Sequence, residues 1–318
     1  ISAGILETWL RTGKAVSIVD IRPVSERMEW FIPHSIHFNA YEKLKANKMD
    51  AFNGLHLQKE IPVIVVCASG KTSLAGAELL RRQGYEAYSL EGGMRNWTLA
   101  WNTAKISFEN FDVIQLRRTG KGCLSYIIGS NNEAVIVDAS LSSGVYEQIL
   151  EQHNLTLKYV METHIHADHL SRSRQLAKEN NVPLLLPMPN KVNFKFEQLK
   201  ADESLLLGSI KIEAISTPGH TLESTSFFID EKVILTGDTL FIDGVGRPDL
   251  KAGEEETLHK AKLLYQSLQF LLSLPDDTII LPAHTSRPVD FDSIPVLSTI
   301  KEVKTKVPML SLAENTFT

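Results

Sequence analysis

The sequence predicts an α/β protein made of two consecutive units. Short β-branched runs alternate with helical segments from the start, and this alternation closes near Trp101. After the polar stretch NTAKISFEN it restarts with an antiparallel-looking group of strands. A chain of 318 residues can bury two separate cores. The expected units are residues 1–103 and 108–318.

In the first unit, SIVDIR at 17–22 and IPVIVV at 61–66 read as buried strands, each short and bounded by polar residues or Pro. SLAGAELLRRQ, from Ser73 to Gln83, reads as a helix stopped by Gly84, and YEAYSL as a further strand running into Gly92 and Gly93. Strands separated by helices imply a parallel sheet with flanking helices. In the second unit VIQLRR, CLSYIIG and EAVIVDAS read as strands, followed by the helix VYEQILEQ. LKYVMETH, a helix from Leu170, VPLLLP, SIKIEAIS, SFFIDEKVILTGD, a long helix at about 256–273, TIILPAH and a terminal helix complete the alternation. There is no internal repeat and no low-complexity segment.

Hydrophobic residues at 43% and charged residues at 22% are globular proportions and exclude a disordered chain. The net charge of −5, without a run of Lys and Arg interleaved with aromatics, argues against nucleic acid as a partner. Only Cys67 and Cys123 are present, which excludes a disulfide framework and points to a reducing, cytoplasmic setting. No apolar run approaches the roughly 20 residues that cross a bilayer, and nothing at the start reads as a signal peptide, so no membrane partner is expected. A homo-oligomer is compatible with this composition.

Ten histidines occur, and His164, His166, His169, His220 and His284 fall in or directly after predicted strand ends. In THIHADH, His164 and His166 lie two apart and project to one side of an extended segment, with Asp168 and His169 following at the turn. STPGH puts His220 after a Pro-Gly turn, TGD puts Asp238 at a strand end, and LPAH does the same for His284. Any one such histidine is explained as a hydrogen-bonded or surface residue. Five of them with two aspartates are better explained as a metal site, and imidazole with carboxylate and no thiolate suits Zn, Fe(II) or Mn.

This set resembles the signature of the metallo-β-lactamase superfamily, HxHxDH followed by a later His, a bridging Asp and a final His, over about residues 108–300. The resemblance implies an αββα sandwich with metal at one sheet edge. Fold alone does not give the reaction. Two branches share the ligand set: dinuclear zinc glyoxalase II-like thioester hydrolases and persulfide dioxygenases with one Fe(II). GDTLFIDGVGRPD is similar to the dioxygenase pattern GDxLxxxGxGRxD, and CLSYIIG to CxxxYLxG with one residue less.

The dioxygenase resemblance implies that His164, His220 and Asp238 hold the iron. It leaves His166, Asp168, His169 and His284 as a second metal site or as groups orienting the first. Two His and one carboxylate leave positions open for a persulfide sulfur and for O₂. The resemblance also places Arg247, nine residues beyond Asp238, and Thr221 of PGHT at the substrate-binding surface, where a guanidinium pairs with a carboxylate. An ion pair that stabilises the loop is the plainer role for Arg247. The family's AHDY is AHTS here, so the Tyr expected after His284 is absent.

Cys67 follows the strand VIVV and opens CASGKTS before a helix. Backbone N–H groups at a helix N-terminus stabilise a thiolate and make it a nucleophile. An inert buried Cys is the plainer reading. A nucleotide loop is rejected, because Val65 stands where that motif needs a Gly. Residues 1 to about 103 resemble the rhodanese family: VDIRPVSE is similar to its DVRxxxE, CASGKTS to its CxxGxx loop, and EGGMRNW to its closing segment. The resemblance implies that Cys67 carries sulfane sulfur, that Ala68, Ser69, Gly70, Lys71, Thr72 and Ser73 form the sulfur-binding loop, and that Lys71 draws an anionic donor. Asp20 and Arg22 are expected to be structural, and Cys123 to lie in the core.

The two resemblances name one substrate class, and tethering raises the effective concentration of a shared intermediate. The expected activity is oxidation of a low-molecular-weight persulfide, glutathione persulfide or similar, by O₂ at one Fe(II), coupled to sulfur transfer with thiosulfate or sulfite as donor or acceptor. A dinuclear Zn thioester hydrolase is the alternative. A non-catalytic sulfur-binding module is the third reading, and the complete ligand set argues against it.

Overall fold

Four short parallel strands organise the first unit of the computed structural model, which describes residues 1–166, 170–187, 192–250 and 252–318. The elements are α1 (Ala3–Arg11), β1 (Ser17–Asp20), α2 (Val24–Glu29), β2 (Ile36–His37), α3 (Tyr41–Lys45), β3 (Val63–Val66), α4 (Lys71–Arg82), β4 (Ala87–Ser89) and α5 (Gly93–Trp97). The strand order is β2-β1-β3-β4, every pair parallel. Successive side chains leave a strand on opposite faces. Val19, Val63 and Val65 therefore pack with Leu44, Ala77 and Leu80 of α3 and α4, while Ile18, Ile64 and Val66 pack with Leu6, Met94 and Trp97 of α1 and α5. The expected parallel sheet with flanking helices is what the chain forms. Asp20 and Arg22 are buried and paired at 2.8 Å, with Arg27 joining Asp20 at 3.1 Å, so this cluster ties the end of β1 to α2.

Helix α1 also carries a titrating group. Burial pushes the Glu7 carboxyl up to about 7, opposed by the Trp101 backbone N–H and the Arg11 charge. The folded value lies above the unfolded one, so the protonated form favours folding. That contribution is complete below about 4.5 and lost as pH rises through about 7. Glu7→Gln is therefore expected to melt a few degrees above the wild type in mildly alkaline buffer, with the gap closing in acid. A melting comparison at both pH values checks this, and a gap independent of pH would contradict it.

The second unit begins with β5 (Asn102–Ser107), β6 (Asp112–Arg118), β7 (Cys123–Ser130), β8 (Glu133–Val137), α6 (Ser143–Gln152), β9 (Thr156–Met161), α7 (Ser173–Glu179), β10 (Leu184–Leu186) and β11 (Glu197–Gln198). These strands form one sheet in the order β11-β10-β9-β8-β7-β6-β5. The second sheet takes β12 (Ser204–Leu207), β13 (Ile210–Ser216), β14 (Thr225–Ile229), β15 (Val233–Gly237), β16 (Ile279–Pro282) and β17 (Ser298–Thr299) in chain order. Helix α8 (Glu254–Leu272) precedes β16, and α9 (Ile300–Lys306) and α10 (Glu314–Phe317) close the chain.

Alternation along each strand builds the sandwich. Leu124, Tyr126, Ile128, Val135 and Val137 of the first sheet meet Ile212, Ala214, Phe227, Val233 and Leu235 of the second. Ile234 and Ile280 point the other way, onto Leu264, Leu268 and Leu271 of α8 and Ile300 and Val303 of α9.

Several elements differ from expectation. NTAKISFEN is not a spacer: it supplies β5, where a short alternation buries Asn102 and Ala104 and leaves Lys105 and Ser107 exposed. The helix expected from Leu170 starts at Ser173, and Leu170 is exposed. SFFIDEKVILTGD is a hairpin, with Asp230 and Glu231 in the left-handed region at its turn. The helix expected from Ser73 begins at Lys71, so Lys71, Thr72 and Ser73 form its first turn rather than loop. By contacts the chain divides into Ile1–Asn102 with Arg117–Gly122 and Arg287–Ser293, and Thr103–Leu116 with Cys123–Ser286 and Ile294–Thr318. No helix of the described residues is long and apolar enough to cross a membrane.

Candidate metal centre and sulfur loop

Strand ends deliver the candidate ligands. Thr163 and His164 follow β9, Asp238 directly follows β15, His284 lies just past β16, and His220 occupies the turn after β13. Among the described residues, His164, His220 and Asp238 are the group able to hold a metal, with one donor atom each and all three within 4.8 Å of one another. The Nε2 atoms of His164 and His220 each lie 3.7 Å from Asp238 Oδ2.

Hydrogen bonds set the tautomers. Thr163 donates its hydroxyl to Asp138 Oδ2 at 2.8 Å, so its oxygen must accept from His164 Nδ1–H at 2.9 Å. His220 Nδ1–H donates to the Arg247 carbonyl at 3.1 Å, since a carbonyl only accepts. In both rings the lone pair is therefore on Nε2, the atom facing Asp238. His164 Nε2 is buried without a hydrogen-bond partner among the described residues. A buried unprotonated nitrogen with no partner, beside a second imidazole and a carboxylate, fits a divalent metal of the Fe(II), Mn or Zn type.

The electrostatics agree. Burial, with the neighbouring His166 charge, holds the His164 imidazole down at about 3. Burial pushes Asp238 up, but the charges of His284, His164 and His220 and the His284 hydrogen bond outweigh it, leaving the carboxyl well below the usual carboxylate range. Both groups are in the protonation states a metal needs.

The remaining candidates occupy different positions. His284 Nδ1 donates to Asp238 Oδ1 at 2.6 Å, and His166 Nε2 faces Asp138 Oδ1 at 3.3 Å. Among the described residues, the donor group that includes Asp238 is completed by His164 and His220. Asp168 and His169 lie outside the described residues. Thr221 meets Ser224 through their hydroxyl oxygens at 2.8 Å, shaping the turn after His220. The Arg247 guanidinium is exposed and grips Asp249 with two bonds, at 3.0 and 2.7 Å. Cys123 is buried and its backbone bridges to that of His284.

Sequence reasoning missed three contributors. Asp138, at the end of β8, is buried with a left-handed φ of 56° and receives the Thr163 N–H, the Thr163 hydroxyl and His166. Its only sequence signal was an Asp ending the run VIVD, which any turn would also explain. Gly246 lets its loop close on the site, because a Cβ there would lie 2.0 Å from the Asp238 carbonyl oxygen. Glu223 is buried three residues after His220, and its Oε1 accepts the Ile165 N–H at 3.3 Å. Asp138→Asn would leave a donor facing Thr163 and His166. It is expected to weaken metal binding about 10- to 100-fold, measured by competition with a chromophoric chelator; undiminished affinity would contradict the role.

In the first unit Cys67 is buried between β3 and α4. Its Sγ accepts from the Ser73 N–H at 3.4 Å and lies 3.2 Å from Ser73 Oγ, which meets Ser89 Oγ at 2.8 Å. The N-terminal turn of α4 thus aims an amide and a hydroxyl at the sulfur. The EGG turn closes on this loop, with Met94 and Arg95 donating N–H groups to the carbonyls of Cys67 and Ala68 at 2.9 and 3.1 Å. Gly93 permits this approach: its φ is 56°, and a Cβ would lie 2.2 Å from the Cys67 oxygen. Lys71 is exposed, and Ala68, Ser69 and Thr72 are half-buried.

A sequence model of the metallo-beta-lactamase superfamily matches residues 118–284. The chain belongs to the metallo-β-lactamase superfamily. A rhodanese-like domain matches residues 2–100. Within the superfamily the chain is 32% identical over 200 residues to human mitochondrial persulfide dioxygenase ETHE1, covering 59% of this chain and 72% of that one. It is 36% identical over 151 residues to the hydroxyacylglutathione hydrolase of Bartonella tribocorum, covering 46% of this chain and 56% of that one. Among solved structures it is similar to a metallo-beta-lactamase from Staphylococcus aureus, at 29% identity and a TM-score of 0.58, with 64% of each chain covered. It is also similar to ETHE1 from Myxococcus xanthus, at 28% identity and a TM-score of 0.56, covering 64% of this chain and 87% of that one. Superfamily membership and the sandwich agree with what the histidine signature implied.

Proposed function

We propose that the second unit oxidises a low-molecular-weight persulfide, of the glutathione persulfide type, with O₂ at a single Fe(II) held by His164, His220 and Asp238. The reading rests above all on the grouping of those three donor atoms within 4.8 Å among the described residues. Likeness to persulfide dioxygenases supports it. In the overall reaction the terminal sulfur loses four electrons to O₂, water is consumed, and sulfite and the free thiol leave. Bound iron would supply O₂ chemistry and a landing point for sulfur. The chain's own part is orientation: Thr163 and Asp138 hold His164, the Arg247 carbonyl holds His220, and His284 holds the second oxygen of Asp238. Arg247 and Thr221 stand at the proposed substrate end, where a substrate carboxylate would compete with Asp249 for the guanidinium.

In the first unit the proposed nucleophile is Cys67. Its thiolate attacks the outer sulfur of a donor such as thiosulfate. A Cys67 S–S bond forms, the donor's S–S bond breaks, and sulfite leaves with the electron pair. Oxygen uptake by the iron-loaded protein with glutathione persulfide tests the proposal, and absence of uptake would sink it. The 36% identity to a hydroxyacylglutathione hydrolase favours a second reading, a two-zinc thioester hydrolase in which His166, Asp168, His169 and His284 join as ligands.

A further inference from the structure

Glu223 is a buried carboxylate that the fold leaves half satisfied. The residue is 6% exposed, its Oε1 accepts the Ile165 N–H, and its Oε2 is buried with no hydrogen-bond partner among the described residues. Leaving an anionic oxygen without a partner inside a protein is unfavourable to the fold. Asp138 is a contrast: it is equally buried, but Thr163 and His166 satisfy it. Burial pushes the Asp138 carboxyl up, and the His166 hydrogen bond and charge outweigh this, keeping it below the ordinary range.

The location gives the bare oxygen a purpose. Ile165 lies between His164 and His166, and the Thr225 N–H, two residues after Glu223, donates to the Thr163 carbonyl at 2.8 Å. Glu223 therefore backs the segment that carries the first proposed ligand. Two neutral imidazoles and one carboxylate offset half the charge of a divalent cation, and in a buried site the remaining positive charge seeks a nearby anion. We infer that Glu223 is a positioning residue for the metal centre: Oε1 fixes the backbone after His164, and the unpartnered Oε2 supplies negative charge that is unfavourable in the metal-free fold and favourable once the cation is bound. The inference rests on the proposed metal centre.

Two measurements on the full chain test it, with zinc as the probe. Glu223→Gln keeps an acceptor for the Ile165 N–H and removes the charge. Its metal-free form is expected to melt above the metal-free wild type, while its zinc affinity, read by competition with a chromophoric chelator, falls about tenfold or more. Glu223→Asp, which keeps the charge, is expected to bind zinc more tightly than Glu223→Gln. A merely structural role would lower stability and affinity together, so a Glu223→Gln chain that melts lower, fails to fold, or binds zinc like the wild type overturns the inference. A wild-type chain that binds no zinc overturns the metal centre itself, a result separable from the others.

Discussion

Replacing His220 with Ala is expected to leave a folded chain that no longer retains iron, with oxygen uptake from glutathione persulfide falling at least about a thousandfold. His220 supplies one of three donor atoms, and the two that would remain, His164 Nε2 and Asp238 Oδ2, have no described replacement within the group. The loss is local. His220 sits in a turn rather than a strand, and among the described residues its ring hydrogen-bonds the Arg247 carbonyl. Metal content and an oxygen electrode read the result together. Full iron content in His220→Ala would move the metal elsewhere, and retained uptake without iron would remove it from the reaction.

Substituting Cys67 with Ser is expected to abolish thiosulfate-dependent sulfur uptake while direct persulfide oxidation continues at the wild-type rate. Sulfane transfer needs a sulfur nucleophile, and a serine hydroxyl is a poor one at neutral pH. The substitution is small, and the Ser73 N–H and hydroxyl that face Sγ can bond an oxygen in its place, so the loop keeps its closure under Gly93. The proposed metal donors belong to the other compact unit. Intact-mass measurement after thiosulfate treatment, beside oxygen uptake, checks both halves. Loss of both activities would contradict two separate sites.

The candidate ligands were legible because His164, His220 and Asp238 each follow a segment with a clear strand pattern, and the ends of β9 in one sheet and of β13 and β15 in the other bring them together. The choice of these three among seven candidates was not legible from spacing, since period-two alternation treats His164 and His166 alike. It came from resemblance, and among the described residues the structure separates the two rings by their partners, Thr163 for one and Asp138 for the other, and by the grouping of His164 with His220 and Asp238. Asp138 escaped notice because a single acidic residue after an apolar run carries no periodic signal, and Glu223 because it stands alone in the loop segment PGHTLES between two strands. β5 escaped because its alternation holds only two apolar residues, Ala104 and Ile106, between Thr103, Lys105 and Ser107. Helices α2 and α3, six and five residues long, are shorter than the window in which a 3.6-residue period can be recognised. Long buried strands such as β7, buried along its whole length, were the easiest to place.

The central claim is one iron, three protein ligands and oxygen chemistry on a persulfide. Its most direct test is metal analysis of protein reconstituted without oxygen, followed by oxygen uptake on adding glutathione persulfide. One iron per chain with uptake and sulfite release is the predicted result. Two zinc ions per chain, hydrolysis of a glutathione thioester and no oxygen uptake would contradict it.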